Sequence, residues 1–163
     1  MSLFRRYIAR EMKALAEKNV RVRFIGDRPR LDPKLRDLMD KLEEVTAGNG
    51  GTNLTIALNY GSRDEVARAT KRLAEDVASG QLRPEDVDEE TLPKYLDTRV
   101  LPDPDLVIRT SGEARISNFL LWQSAYAEYE FIDTLWPDFT GDELGRLCAR
   151  FGSRDRRFGG VKK

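Results

Sequence analysis

The sequence contains no histidine and a single cysteine among its 163 residues. Without histidine, Ser-His and Cys-His catalysis, histidine general bases and histidine metal ligands are all excluded. A metal ion would have to be held by carboxylates and by oxygen atoms of a ligand, and that donor set suits magnesium. The single cysteine, Cys148, excludes an internal disulfide and is typical of a reducing compartment. Because it lies within an apolar helical pattern, we expect it to be a packed side chain.

Long apolar runs and an excess of charge of either sign are also absent. No stretch approaches the roughly 20 apolar residues that a transmembrane helix needs, and the charged N-terminal residues do not fit a signal peptide. The 28 basic residues are balanced by 28 acidic residues, and they are scattered rather than gathered into the basic footprint of a nucleic-acid-binding protein. We therefore expect a cytoplasmic protein whose residues 1–163 form one domain.

Short apolar runs predict β-strands at three places in the chain. Val22 and Phe24 alternate with arginines in a run that ends at Gly26 and Asp27. Further runs follow at residues 54–58 and 106–108, and such runs bounded by turn residues are typical of strands. Helical patterns lie between them, so the sequence predicts an α/β fold with a largely parallel sheet flanked by helices.

Each predicted helix after the first strand carries a start signal. Asp32 precedes Pro33, the combination of a capping side chain and a proline in the first turn. The next two helices begin with capping-box pairs, which are Ser62 with Glu65 and Thr140 with Glu143. Residues 82–101 are acidic and contain prolines, and we expect short helices and a connector there.

The helical spacing of apolar residues predicts which side chains are buried. In the first helix these are Leu35, Leu38, Met39, Leu42 and Val45. In the second they are Val66, Thr70, Leu73 and Val77, and in the third Leu144, Leu147 and Phe151. A further amphipathic helix is predicted at residues 3–16, where core packing is favoured and a membrane-surface helix is the alternative.

The stretch at residues 105–131 concentrates the residues that carry chemistry. A strand predicted to be buried ends at Arg109, and Arg115 and Ser117 follow in the loop. Arginine presents a planar fork that matches phosphate oxygens, and parallel sheets bind ligands beyond the carboxyl ends of their strands. The residues therefore indicate a diphosphate or similar anion pocket. The alternative is that the two arginines only pair with Glu113 or Asp105 on the surface.

This stretch, DLVIRTSGEARISNFLLWQSAYAEYEF, resembles the C-terminal half of the bacterial undecaprenyl diphosphate synthases, which are cis-prenyltransferases. The segments LWPDF at residues 135–139 and RDRRFGG at residues 154–160 extend the resemblance. Upstream, IGD at residues 25–27, TAGNGG at residues 46–51 and NYGSRDEV at residues 59–66 follow in the order of the family. The resemblance covers nearly the whole chain.

The resemblance implies substrates and the residues that bind them. Members of this family condense isopentenyl diphosphate repeatedly onto an allylic diphosphate such as farnesyl diphosphate, and form a long polyprenyl diphosphate such as undecaprenyl diphosphate. By resemblance, Arg109, Arg115 and Ser117 bind the diphosphate of isopentenyl diphosphate, Ile116 contributes a backbone contact, and Glu128 binds Mg2+. Without the resemblance, Glu128 is an ordinary carboxylate at a strand edge.

The resemblance also implies a homodimer, and a transient membrane contact is expected only through the lipid product. The basic tail at residues 154–163 suits a position over an anionic site or against a neighbouring subunit. The apolar residues 119–122 and Tyr126 are expected to pack in the core, although the family also needs an apolar tunnel for its product. The turn at residues 59–63 has two interpretations. It only joins a strand to a helix, or it also contacts a ligand through Arg63.

The sequence departs from the family at its N-terminus. The family begins with a strand and an Asp-Gly-Asn-Gly-Arg-Trp type loop, which binds the allylic diphosphate and supplies the catalytic aspartate. In the family a further strand follows, with an asparagine-tryptophan segment implicated in proton removal. Neither the loop nor this segment occurs here, so we expect the chain to correspond to the C-terminal two-thirds of the family fold, without the N-terminal strands and without a catalytic aspartate. We expect it to be inactive alone unless another carboxylate, such as Asp27, substitutes.

Two other functions stay open beside prenyl transfer. The chain could be a non-catalytic accessory subunit that pairs with a complete cis-prenyltransferase. Retention of Arg109, Arg115, Ser117 and Glu128 together argues against that hypothesis, since a purely structural partner does not need them. A generic phosphate-binding α/β module is the second alternative.

Overall fold

The computed structural model describes residues 10–11 and 14–154. The chain divides into two compact units, Met1–Leu101 (unit 1) and Pro102–Lys163 (unit 2), and the single domain expected over residues 1–163 stays a prediction. Most of the predicted helix at residues 3–16 and nearly all of the tail at residues 154–163 lie outside the described residues. None of the described helices is long and apolar enough to cross a bilayer.

Unit 1 contains a parallel pair of strands, β1 (Arg21–Ile25) and β2 (Asn53–Ala57), with Val22 opposite Leu54. The connection between them is helix α1 (Pro33–Thr46), where Asp32 accepts a hydrogen bond from the Leu35 amide at 3.3 Å, as predicted. One face of β1 packs on α1 because its alternate side chains are apolar. The core cluster they form consists of Val22, Phe24, Leu31, Leu35, Met39 and Leu42.

The end of α1 differs from the predicted apolar stripe. Val45 is 45% exposed, whereas its neighbour Thr46 is fully buried. The Thr46 hydroxyl donates to the Leu42 carbonyl at 2.7 Å and accepts from the Val22 amide at 3.1 Å. A buried hydroxyl with both bonds satisfied costs little, so it can replace an apolar side chain at this position.

The edge of β1 that does not face β2 is covered by side-chain acceptors. The Phe24 amide donates to Glu43 at 2.7 Å and the Gly26 amide donates to Asp97 at 3.1 Å. Together with the bond from the Val22 amide to Thr46, these contacts occupy donors that would otherwise attract another strand.

Helix α2 (Ser62–Ala78) begins one residue earlier than predicted, because its N-cap is Gly61 and not Ser62. The predicted capping box is therefore wrong. The Glu65 side chain is fully buried and accepts from the Tyr60 hydroxyl at 2.6 Å and from the Asp97 amide at 2.8 Å. This buried carboxylate ties the start of α2 to a loop that is distant in the sequence.

The buried face of α2 is also rotated from the predicted stripe. Thr70 is exposed, the predicted Val66, Leu73 and Val77 are half-buried, and Ala69 is fully buried. Short 3-10 helices follow at Pro84–Asp86 and Leu92–Tyr95, which confirms the predicted connector of short helices. Small and polar side chains line the contact face of α2, because the contact is made by hydrogen bonds to the connector.

Unit 2 contains a second parallel pair, β3 (Leu106–Arg109) and β4 (Glu128–Phe131), in the register that sets Arg109 opposite Phe131. All four β3 residues are half-buried rather than buried as predicted, since a two-stranded sheet cannot cover both faces of a strand. The α/β class with parallel strands flanked by helices is confirmed.

Helix α3 (Gly141–Gly152) starts at the predicted cap, where Thr140 accepts from the Glu143 amide at 3.2 Å. Leu147 is buried and Phe151 is half-buried, but Leu144 is exposed. Cys148 is exposed as well, so its predicted packing is wrong. Within the described residues, α3 therefore buries fewer of its apolar side chains than their helical spacing predicts.

We predict that Leu42→Ala destabilises unit 1 by about 2–5 kcal/mol, because it leaves a cavity in the core cluster. The matched change Val45→Ala, three residues further along the same helix, is expected to alter the free energy of unfolding by no more than about 0.5 kcal/mol. Urea unfolding followed by circular dichroism measures both. Equal losses for the two variants would contradict the burial pattern of α1.

A second prediction concerns the pKa of Asp97. Burial raises this pKa, but the hydrogen bonds and charge of Arg68 and the bond from the Gly26 amide outweigh burial and leave the pKa below its usual value. The stabilisation is therefore complete above the unfolded pKa of about 3.9 and is lost as the pH falls through the lower folded pKa.

We expect Asp97→Asn to lower the free energy of unfolding at pH 7 by about 1–3 kcal/mol, since Arg68 loses a charged partner. Below about pH 3.9 the difference from the unmodified protein should shrink, because Asp97 itself becomes protonated. Urea titrations at pH 7 and pH 3 measure the two differences, with exposed Asp37→Asn on α1 as the control. A difference that does not change with pH would contradict the role of the Asp97 charge.

Candidate functional site

The loop that follows β3 is held against the segment that follows β4. The amides of Ser111 and Gly112 donate to the carbonyls of Thr134 and Ile132, both at 2.9 Å. The Ile132 amide donates in turn to the Arg109 carbonyl at 2.9 Å. Gly112 has a φ of +65°, a left-handed conformation that glycine adopts without strain. These bonds fix the backbone from which Arg109 and the loop side chains project.

Backbone strain is concentrated in this loop. Four residues other than glycine have left-handed φ angles: Ser111 at 71°, Ser117 at 52°, Asn118 at 64° and Leu120 at 47°. Such conformations cost of order 1–3 kcal/mol each for residues with a side chain, and they cluster at ligand sites. Asn118 tolerates this region best, whereas Leu120 does not. The strained turn orients Ser117 beside the end of β3.

A pocket of about 310 Å³ lies between β3, β4 and this loop. It brings together four of the predicted site residues, Arg109, Arg115, Ile116 and Ser117. The remaining lining residues are Val107, Ile108, Phe119, Tyr129 and Phe131. The pocket therefore has guanidinium groups and a hydroxyl together with an apolar wall, which suits a ligand that has an anionic end and a hydrocarbon end.

The two arginines of the pocket differ in their partners. Arg115 forms an ion pair with Glu113, one of the two surface partners considered from the sequence. Arg109 is half-buried, and within the described residues it has no carboxylate within ion-pair distance. Within the described residues, the surface pairing that was the alternative to an anion pocket thus occurs for Arg115 only. Because its charge is not neutralised, Arg109 is the stronger candidate for an anionic ligand.

Glu128 lies away from this pocket. It begins β4 opposite Leu106, three residues before the pair of Phe131 and Arg109. Side chains alternate along a strand, so Glu128 and Glu130 project from the face opposite that of Arg109, Tyr129 and Phe131. The structure therefore does not bring Glu128 together with the other four predicted residues.

The acidic face of β4 is occupied by arginines from the end of α3. Arg154 donates to Glu128 at 2.6 Å and to Glu130 at 2.5 Å, and Arg150 also binds Glu130. The hydrogen bond to Glu128 and the charges of both carboxylates raise the pKa of Arg154, against the opposing effect of desolvation. These ion pairs attach α3 to the sheet.

The resemblance implies that Glu128 binds a magnesium ion. Within the described residues no three His, Cys, Asp or Glu side chains are grouped as metal ligands. Glu128 is also held by Arg154 on the opposite face from Arg109. The residues of one chain therefore do not fit a metal that bridges Glu128 to this pocket, and the role of Glu128 in binding Mg2+ stays a prediction.

The aromatic run after the loop does not form the expected core. Phe119, Leu121 and Trp122 are about two-fifths exposed, and Tyr126 is 82% exposed. Gln123 and Ser124 are the buried residues of this segment. Because unit 2 has only a small core in the described residues, it cannot cover these side chains. Exposed apolar groups of this size commonly mark interaction surfaces.

Five lining residues were not identified as site residues from the sequence, and three of them are aromatic: Phe119, Tyr129 and Phe131. The rings of Tyr129 and Phe131 stack with their centroids 5.9 Å apart. Tyr129 and Phe131 could have been found from the alternation of acidic and aromatic residues in the β4 sequence EYEF, which sets the two aromatic side chains on one face of the strand. Knowing that this face is shared with Arg109 required the pairing register.

Two further candidates from the sequence lie in unit 1. Arg63 is exposed in the first turn of α2, and whether it faces ligand stays untested. Asp27 is buried at the end of β1 and forms an ion pair with Arg30 at 3.0 Å. Its suggested replacement of a catalytic aspartate remains a prediction.

Comparisons with known proteins agree with this fold and with the resemblance in sequence. A family model described as "Putative undecaprenyl diphosphate synthase" matches residues 1–159. An isoprenyl transferase of Rhizobium meliloti is 50% identical over 161 residues, which cover 99% of this chain and 65% of that protein. One from Bacillus thuringiensis is also 50% identical over 161 residues, covering 99% of this chain and 62% of that protein. The chain thus spans less than two-thirds of the length of these relatives.

Two solved structures are similar over nearly the whole chain. A lavandulyl diphosphate synthase from Lavandula x intermedia, in complex with dimethylallyl diphosphate, is 35% identical with a TM-score of 0.93, covering 98% of this chain and 69% of that one. A probable undecaprenyl diphosphate synthase from Campylobacter jejuni is 38% identical with a TM-score of 0.84, covering 97% and 72%.

The ion pair between Arg115 and Glu113 generates a prediction. We expect Glu113→Gln to bind inorganic diphosphate, as a probe anion, about 2–10-fold more tightly at low salt, because the negative charge of Glu113 would compete with and repel an anion at Arg115. Stability should change by no more than about 1 kcal/mol, since the pair is exposed. Calorimetry measures the affinity, with Asp142→Asn on α3 as a control for the same change in charge. Weaker binding by Glu113→Gln would instead mean that Glu113 positions Arg115 for the ligand.

Proposed function

Because the chain belongs to the family of undecaprenyl diphosphate synthases, we propose that it takes part in prenyl transfer. The proposed reaction is the sequential cis condensation of isopentenyl diphosphate onto an allylic diphosphate such as farnesyl diphosphate. The product would be a long polyprenyl diphosphate such as undecaprenyl diphosphate. The observation that carries this proposal is the pocket of unit 2, which combines an arginine-lined end with an apolar wall.

In this proposal the pocket binds isopentenyl diphosphate. Arg109 and Arg115 offer planar forks to the diphosphate oxygens, and such charge-assisted bonds are roughly twice as strong as neutral ones. The Ser117 hydroxyl and the backbone at Ile116 add further donors beside them. Half-burial of Arg109 supports the assignment, because a charge that is partly removed from water interacts more strongly with an anion.

The apolar wall would hold the hydrocarbon part of the same substrate. Val107 and Phe131 line the pocket on the face of the sheet that carries Arg109, and Phe119 closes it from the loop. Binding energy from both ends of the substrate restricts its orientation, which is how a site prepares a reactive carbon for attack. The residues of this pocket bind and orient, and none of them is assigned as a general acid or base.

The allylic partner and the metal belong to the proposal as well. The Lavandula relative was solved with dimethylallyl diphosphate, an allylic diphosphate, which supports this substrate class for the present chain. Mg2+ would supply charge neutralisation at a diphosphate when bound. The described residues of one chain do not gather three side chains that could hold it.

A second candidate function is that of a non-catalytic subunit of a cis-prenyltransferase. The position of Glu128 favours it, because this carboxylate is bound to Arg154 and lies on the face opposite the pocket. A chain of this kind would bind isopentenyl diphosphate yet form product only when a complete enzyme is added. Incorporation of labelled isopentenyl diphosphate, with and without such a partner, separates the two functions.

A cytoplasmic homodimer completes the proposal. The large exposed apolar side chains of unit 2 support self-association, because their burial against a second chain would remove apolar area from water. They include Trp122, Tyr126, Leu135 and Trp136. Transient contact with a membrane would follow from release of a lipid product rather than from a segment of the chain.

We predict that Arg109→Ala weakens the binding of isopentenyl diphosphate about 10–100-fold, since a charged hydrogen-bond donor is removed from the diphosphate. Arg115→Ala should have a smaller effect, because Arg115 first has to leave Glu113. Arg146→Ala on α3 is the matched control, as it removes the same charge from an exposed position of the same unit. Calorimetry at two salt concentrations measures the affinities.

The binding experiment has a clear contrary result. If Arg109→Ala and Arg146→Ala bind isopentenyl diphosphate with equal affinity, the pocket of unit 2 does not hold the diphosphate. Incorporation of labelled isopentenyl diphosphate with farnesyl diphosphate and Mg2+ then tests the reaction itself. Binding without incorporation would favour the non-catalytic subunit.

A further inference from the structure

Unit 1 contains a second charged pocket, of about 450 Å³, beyond the carboxyl end of β1. The end of β1 and the residues that follow it, Phe24 to Asp27, are among its lining residues. Five arginines line it against three carboxylates, and the arginines are Arg23, Arg28, Arg68, Arg72 and Arg99. Ligands of open parallel sheets bind beyond the carboxyl ends of the strands, and this pocket lies at such an end.

The carboxylates of this pocket are already neutralised. Asp97 accepts two bonds from Arg68, at 2.8 and 3.1 Å, and one from the Gly26 amide. Glu43 accepts from Arg28 at 2.5 Å and from the Phe24 amide at 2.7 Å. The third, Asp27, pairs with Arg30 at 3.0 Å. Carboxylates held in this way are poor ligands for a cation, because binding one would require breaking several charged bonds.

Three of the arginines have no carboxylate within ion-pair distance among the described residues. Arg72 donates to the Tyr95 carbonyl, which is a neutral group. Arg99 is exposed at the rim of the pocket. The Nε atom of Arg23 is buried without a hydrogen-bond partner. A buried donor left without an acceptor costs about 1–3 kcal/mol, so an acceptor delivered by a ligand would recover that energy.

We propose that this pocket binds a diphosphate group. The excess positive charge comes from Arg23, Arg72 and Arg99, and a diphosphate supplies both the opposite charge and acceptor oxygens for guanidinium forks. The pocket is distinct from that of unit 2, and nothing in the proposed prenyl transfer assigns a role to these arginines. Two sources carry the same chemical group, inorganic diphosphate and the head of an allylic diphosphate.

The test uses the full chain with Arg109→Ala and Arg115→Ala introduced together, which removes the arginines of the other pocket. Calorimetric titration with inorganic diphosphate should still detect one site. Adding Arg23→Gln or Arg99→Ala should weaken that site at least about tenfold, since each removes charge-assisted bonds. Arg21→Gln is the matched control, because Arg21 lies on the same strand and face as Arg23 without lining the pocket. It should change the affinity less than twofold.

Two results would overturn the proposal. One is the loss of all diphosphate binding in the double-arginine background, and the other is an affinity unchanged by Arg23→Gln and Arg99→Ala. Arg99 is exposed, so Arg99→Ala is expected to fold, and circular dichroism checks each variant. A parallel titration with farnesyl diphosphate distinguishes the sources: equal affinity supports recognition of the diphosphate alone, and tighter binding supports the allylic substrate. The proposed function is tested separately from this site, because binding of isopentenyl diphosphate is measured in the chain that retains Arg109.

Discussion

The parallel pairing of β3 with β4 is the constraint on which the candidate site depends. This register sets Arg109 beside Phe131 and gives the sheet of unit 2 two chemically different faces. One face carries Arg109 and two stacked aromatic rings and forms the wall of a pocket. The other carries Glu128 and Glu130, which hold α3 through Arg150 and Arg154. A shift of one residue would exchange these faces and destroy both arrangements.

Unit 1 is organised by buried carboxylates rather than by apolar contacts alone. Glu65 is fully buried and binds the Asp97 amide, while the Asp97 side chain joins Arg68 to the end of β1. Removing one partner of such a network leaves a charge uncompensated in a poorly solvated place. Through the Gly26 amide the same network fixes the end of β1, and it neutralises Asp97 in the charged pocket. Arginines for which the described residues supply no carboxylate within ion-pair distance remain there.

Part of this could be predicted from local sequence, and the rest could not for physical reasons. The start of α1 at Pro33 and the cap at Thr140 were predictable, because the interacting groups are three residues apart. Val45, Leu144 and Cys148 were assigned to the interior and are exposed, since helical spacing identifies an apolar face but not what covers it. The buried role of Glu65 was hidden because its partner Asp97 is 32 residues away.

The sequence by itself determined the family and the parallel α/β class, and it indicated the residues that are proposed to bind a diphosphate, because these follow from local patterns and from a long ordered resemblance. Only the tertiary structure decided which of those residues meet. It joined Arg109, Arg115, Ile116 and Ser117 in one pocket and separated Glu128 from them. The physical reason is that side chains alternate between the two faces of a sheet along each strand. Which residues share a face therefore depends on the register between two strands that are distant in the chain, and the spacing of residues along the sequence does not specify that register.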